Sequence, residues 1–147
     1  MKIYVSAPAE RPDFRLVIAF LWHDGQNVDT DGDSHNPASR NWTELYLCNR
    51  ENSAEMVDIS PAQQTPLILE VESELEVLAA RTAYFLACQT RGQVFTALGE
   101  SGQSPNCLLE LMGEFQVEGA MRRVEKSPFT RATIKNPYPN LRANSSK

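Results

Sequence analysis

Residues 66–92 constrain the fold of this chain more than any other stretch, because a strand pattern there runs directly into a helix marked at both ends. Leu67 to Glu72 (LILEVE) alternates: Leu67, Leu69 and Val71 face one way, and Ile68, Glu70 and Glu72 the other, since successive strand side chains point to opposite faces. Ser73 and Glu76 then fit the S-x-x-E capping box, with Ser73 as N-cap and Glu76 at the third helical position. Glu74 and Glu76 suit the positive end of the helix dipole, and Arg91 its negative end. Gly92 falls where a left-handed residue closes a helix. Leu75, Leu78, Ala79, Thr82, Phe85 and Leu86 follow helical spacing, so the pattern predicts a helix of about 18 residues, roughly 27 Å long.

Other segments supply the rest of a small sheet. Met1–Ser6 predicts a short strand, and Ala7–Asp13, with two prolines, a loop. Phe14–Trp22 (FRLVIAFLW) is apolar, aromatic and β-branched, which predicts a buried strand. His23–Asn41 is a long polar loop, a length that is often functional. Thr43–Arg50 and Glu55–Ile59 form two strands of an antiparallel hairpin around NRENS. Ser60–Pro66 is a proline-bounded loop, and Gln93–Ala97 a final strand. Ser104 and Pro105 are the N-cap and first residue of a second helix with Leu108, Leu111, Met112 and Phe115 on its apolar face, weakened by Gly113 and Gly119. Strands precede helices, so the expected class is α+β, a mainly antiparallel sheet with two helices packed on one face. Residues 1–126 form the single domain, and 127–147 an extended basic tail tied down at most by Phe129, Ile134, Tyr138 and Leu141.

At 147 residues the chain has room for one core. Its mean hydropathy of −0.39 and the lack of a long apolar run exclude a membrane span. The first residues lack the apolar middle of a signal peptide, so a cytoplasmic protein is expected. Cys48, Cys88 and Cys107 are widely spaced and are expected to be reduced thiols, with neither a disulfide framework nor a zinc site.

The net charge of −5 is unevenly placed. Residues 44–76 hold eight acids (Glu44, Glu51, Glu55, Asp58, Glu70, Glu72, Glu74 and Glu76) against Arg50, net −7. Residues 118–147 hold seven bases against Glu118 and Glu125, net +5. The acidic segment disfavours nucleic acid, which phosphate repulsion would keep away, and suits a basic protein partner.

Signatures of catalysis are weak. Asp29-Thr30-Asp31-Gly32-Asp33 resembles a calcium loop, but Ser34 and Arg40 stand where an EF-hand needs Gly and Glu; no metal and no cofactor are expected. His23 and His35 are the only histidines, and either of them with Asp29, Asp31 or Asp33 gives a possible hydrolase site. Gly99-Glu100-Ser101-Gly102 lacks the final glycine of a nucleophile elbow, because position 103 is Gln. The second stripe of the first helix, Val77, Arg81, Tyr84 and Cys88, is covered by other elements or forms an aromatic-plus-Arg patch of the kind favoured at binding hot spots.

The stretches WTELYLCNRENSAEMVDISP and PLILEVESELEVLAARTAYFLACQTRGQVF resemble the hairpin, strand and capped helix of small bacterial immunity proteins, which accompany polymorphic or contact-dependent toxins. The resemblance is one of architecture and covers about a third of the chain, so no functional residue is carried over from it. It implies a non-catalytic cytosolic inhibitor that masks a toxin domain, and a basic toxin domain would suit the acidic segment. The residues expected to meet such a partner are Glu70, Glu72, Glu74, Arg81, Tyr84, Trp42, Asp29, Asp31 and Asp33. The competing readings are the hydrolase at His23–Asn41 and a structural or accessory interaction protein.

Overall fold

The computed structural model describes residues 1–139. Leu141, Arg142 and Lys147 of the basic tail lie outside the described residues. Six strands form one antiparallel sheet in the order β2-β3-β4-β5-β1-β6. They are β1 (Lys2–Ser6), β2 (Val28–Gly32), β3 (Leu45–Asn49), β4 (Met56–Gln64), β5 (Leu67–Glu72) and β6 (Val94–Phe95). The helices are α1 (Phe14–Leu21), α2 (Glu76–Thr90) and α3 (Val117–Lys126), with 3₁₀ segments at Pro105–Met112 and Pro128–Arg131. The α+β class is the expected one. Among the described residues no helix is long and apolar enough to cross a membrane.

Strand alternation builds the core. Ile3 and Val5, Leu45 and Leu47, Val57 and Ile59, and Leu69 and Val71 all point to the helix side and are buried there. α2 packs against β1, β4, β5 and β6, and α1 packs on α2 and α3. Phe20 of α1 stacks on Phe85 of α2, with ring centroids 4.6 Å apart. α2 therefore covers one face of the sheet, with α1 packed beside it.

Phe14–Leu21 is a helix closed by Trp22, and not the strand expected over Phe14–Trp22. A short apolar run has no periodicity that separates the two states. The deciding residue is Asp13, whose side chain accepts the Arg15 N–H at 3.0 Å and caps α1. At the far end, Arg123 of α3 donates from Nε to the Ala19 carbonyl at 2.9 Å and from Nη2 to the Phe20 carbonyl at 2.7 Å. These bonds occupy carbonyls that a helix end leaves without partners. α3 itself continues through Gly119, buries Ala120 and Val124, and adds a helix to the two expected.

Three further expectations change. Ser60–Pro66 is mostly strand: β4 runs to Gln64, and a register shift between Pro61 and Gln63 accommodates the proline, as a bulge does. The long polar loop contains β2, an edge strand exposed on both sides, whose polar alternation gave no apolar face to read. The second helix is a 3₁₀ segment, although its Ser104 cap does accept the Asn106 N–H at 3.3 Å.

The ends of α2 also differ in detail. Ser73 is not its N-cap, because the helix starts at Glu76 and Leu75 precedes it without a side-chain cap. Ser73 Oγ instead accepts the Leu75 N–H at 3.1 Å and donates to the Met56 carbonyl at 2.6 Å, tying the end of β5 to the start of β4. The left-handed residue is Arg91, at φ 58°, and not Gly92. Gly92 is required for another reason: a Cβ there would overlap the Ser6 carbonyl oxygen.

Residues beyond α3 return along α1. Ser127 and Ala132 are buried. Ser127 Oγ donates to Asp24 at 3.1 Å, and the Arg15 guanidinium lies 4.0 Å from the Phe129 ring centre and 5.4 Å from that of Tyr138.

Candidate functional site

The sheet face away from the helices carries no helix among the described residues. Its composition follows from strand parity. Each residue directly opposite another across a ladder shares its face, and the register therefore lines side chains into rows. One row crosses five strands as Asp31, Tyr46, Asp58, Glu72 and Lys2. A second runs Ser60, Glu70, Tyr4 and Phe95. A third runs Asp29, Cys48 and Met56. Five carboxylates thus stand among two tyrosines, a phenylalanine and a methionine.

The cations on this face are already engaged. Lys2 Nζ lies 3.8 Å from Glu70, and Arg50 Nε donates to Asp29 at 2.6 Å. Asp58 and Glu72 are exposed and directly opposite each other. Like charges so placed repel across a strand pair.

Tyr46 sits between two recesses. One, of about 290 Å³, is bordered by Met1, Tyr46, Met56, Asp58, Glu72 and Glu74. The other, of about 160 Å³, is bordered by Asp31, Glu44, Tyr46 and Asp58. The Tyr46 hydroxyl donates to Met56 Sδ at 2.9 Å, which holds the ring across the face. A carboxylate-rimmed recess with an aromatic and thioether wall suits the stem and charged head of a Lys or Arg side chain.

The structure brings together Glu70, Glu72, Glu74, Asp29 and Asp31 of the expected residues. Trp42 does not join them. It is 1% exposed, and its Nε1 donates to the Pro12 carbonyl at 2.8 Å. It belongs to the hydrophobic core and is not a partner contact. Arg81 and Tyr84 are half-buried and lie away from the acidic face, engaged by neighbouring elements. Arg81 Nε donates to the Met112 carbonyl at 2.8 Å with its guanidinium 4.6 Å from the Phe115 ring centre. Tyr84 lies beside Phe20, and burial, then Cys88, push its phenol above the ordinary range. The second stripe of α2 is thus covered in part, by Phe20, Met112 and Phe115, while its Cys88 is exposed.

Asp33 is a brace. Its carboxylate accepts the Thr43 N–H at 2.9 Å, the Thr43 hydroxyl at 2.8 Å and the Glu44 N–H at 3.0 Å. Partial burial pushes this carboxyl up, but the hydrogen bonds from Glu44 and Thr43 outweigh it and hold it below the ordinary carboxylate range. Asp31 accepts its neighbour's N–H, that of Gly32, at 2.8 Å. Gly32 is itself required where β2 meets β3, since a Cβ there would overlap the Glu44 carbonyl oxygen.

The three aspartates are therefore engaged separately. Among the described residues, no group of three His, Cys, Asp or Glu side chains is placed to hold a metal ion. Nor does any hydrogen bond among them join His23 or His35 to Asp29, Asp31 or Asp33. The His23 ring accepts the Gly25 N–H at 3.1 Å within its own turn, and His35 is exposed. The hydrolase constellation is not assembled in this loop.

Tyr4, Tyr46, Met56, Asp58 and Glu44 were not singled out from sequence as contact residues. The alternation of TELYLC already turned Tyr46 away from Leu45 and Leu47. What was missing was the register that sets Tyr46 opposite Asp58.

The fold and this face define an α+β protein whose sheet has one helix-covered face and, among the described residues, one helix-free acidic face. No protein-family model, no curated protein and no solved structure matches the chain.

Proposed function

We propose that this chain is a non-catalytic protein-binding module, an immunity-type inhibitor that acts in the bacterial cytoplasm by covering a basic toxin domain with its helix-free sheet face. The observation that supports this reading is the direct Asp58–Glu72 pairing in the middle of that face. A cross-strand pair of like charges weakens the free protein, by a magnitude of about 0.2–1 kcal/mol. A basic partner surface removes that repulsion on binding, so the same pair favours the complex. Rows of carboxylates also speed the encounter with a cationic surface and disfavour acidic competitors. Tyr4, Tyr46 and Met56 add contact area of the kind that dominates binding energy. Inhibition by occlusion requires placement alone, with no group on the inhibitor that transfers protons or electrons.

Affinity capture from the native host at low salt, followed by mass spectrometry, tests the reading. The expected result is a stoichiometric basic protein that is lost when Glu70→Lys and Glu72→Lys are combined. Recovery of no stoichiometric protein, or capture unaffected by the double reversal, overturns it.

A further inference from the structure

Beside the acidic face, at its β1 border, lies an apolar groove of about 230 Å³ bordered by Met1, Ile3, Phe95, Cys107, Leu108 and Leu111. Met1 lines both this groove and the acidic recess next to Tyr46. The two concavities therefore adjoin at one residue. Met1 is 46% exposed and Leu111 37%, so the groove offers apolar surface that folding leaves uncovered.

The sheet edge here is also incomplete. Ser6 donates its N–H to the Gln93 carbonyl, and the register pairs Tyr4 with Phe95. Even-numbered residues of β1 thus direct their backbone groups towards β6. β6 ends at Phe95, so the outward N–H and C=O of Lys2 have no strand partner among the described residues. The Lys2 side chain is turned to the acidic face, beside Glu70.

From this placement we infer that the groove anchors an extended segment of the protein partner, in which one large apolar side chain is flanked by Lys or Arg residues. The inference rests on the proposed protein-binding role and adds the partner's recognition element. The apolar side chain enters between Ile3 and Leu111, where it loses water against a ready-made wall. Its backbone meets the free edge of Lys2, as in strand addition. The flanking cations reach Asp58, Glu72 and Glu74 across Met1. Charge complementarity selects the occupant: an acidic or neutral apolar segment fits the groove equally well but gains nothing from the carboxylates beside it. The volume is below the roughly 300–1,000 Å³ usual for a small-molecule site, which also favours a single inserted side chain.

The test uses ¹⁵N-labelled full-length protein titrated with an acetylated, amidated Lys-Lys-Val-Phe-Val-Lys-Lys peptide. Two matched peptides replace either Val-Phe-Val by Ser-Gly-Ser or every Lys by Glu. The expected result is saturable shifts at the Lys2, Ile3 and Leu111 amides, with Kd at least tenfold tighter than for the Ser-Gly-Ser peptide and no binding of the Glu peptide. Leu111→Asp, or the milder Leu111→Ser, removes the tenfold advantage; both are tolerable at so exposed a position. Equal binding of the two Lys peptides overturns the anchor and leaves the acidic-face reading standing. Equal binding of the Lys and Glu peptides overturns the choice of a basic segment. Absence of binding by either Lys peptide counts against both readings. Shifts of the same amides with protein concentration alone assign the groove to a second copy of this chain instead.

Discussion

Asp58 and Glu72 stand directly opposite each other on β4 and β5, two exposed carboxylates sharing one cross-strand position. Asp58→Asn removes the repulsion without changing size. It is expected to stabilise the free protein by about 0.2–1 kcal/mol, or roughly 1–4 °C in Tm for a chain of this length. The gain is largest at low ionic strength, where screening is least. Thermal melts of both proteins at low and high salt check this. A destabilised variant would mean that Asp58 has a structural role not visible in its contacts.

Trp42 has no part in the surface. Its indole is buried and anchored to the Pro12 carbonyl. Trp42→Ala is expected to cost about 3–5 kcal/mol, as large-to-small core substitutions do. Trp42→Phe keeps most of the volume and loses the hydrogen bond, so its cost is smaller. Urea unfolding of the two variants separates packing from the anchor. Near-native stability of Trp42→Ala would place this residue outside the core.

Arg123 joins α3 to the end of α1 through two bonds to the Ala19 and Phe20 carbonyls. Arg123→Ala leaves both carbonyls short of a donor and is expected to cost about 1.5–3 kcal/mol, the range for hydrogen bonds to a charged group. Arg123→Lys restores only part, because one ammonium does not reproduce the planar fork. Denaturation midpoints of the pair are the measurement, and a midpoint for Arg123→Lys equal to that of the unsubstituted protein would rule out the fork as the stabilising element.

Asp33 gives the chain a pH-dependent brace. Its carboxyl is lowered in the folded state, with the hydrogen bonds from Glu44 and Thr43 prevailing over partial burial. A depressed carboxyl binds its proton less readily when folded than when unfolded. Its stabilising contribution is therefore full above the ordinary carboxylate range and is lost as pH falls through the lower, folded value. Asp33→Asn should flatten the acid limb of the stability–pH curve and leave stability above pH ~6 little more pH-dependent than before. The group is mostly exposed, so the effect is small. Chemical denaturation across the acid range compares the two curves, and parallel acid limbs would exclude Asp33 as their source.

Legibility followed the range of the interactions. The inward set of β5 and the helix after it were readable because alternation and helical spacing are local. Leu69, Val71, Leu78, Phe85 and Leu86 are buried as that pattern requires. Phe14–Trp22 was not readable, because apolar residues on every side give no period. Its state depends on Asp13 at one end and on Arg123, far along the chain, at the other. β2 was hidden for the opposite reason, as a polar edge strand without a buried face. In the candidate site, Glu70 and Glu72 were legible as one outward set. Arg81 and Tyr84 were misplaced because nothing local shows that Met112, Phe115 and Phe20 cover them.

By itself the sequence determined the α+β class, the outward acids of β5 and the uneven charge along the chain, all of which rest on neighbours within a few residues. Tertiary structure alone decided that Asp58 meets Glu72 and that Tyr46 lies between Asp58 and Asp31 in the same row. Strand register sets those meetings, and register is chosen by the whole sheet as it buries its apolar side, since a slip of one residue turns every side chain to the other face. The helices settled the other half: by gathering on one side of the sheet, they left the acidic side without a helix among the described residues.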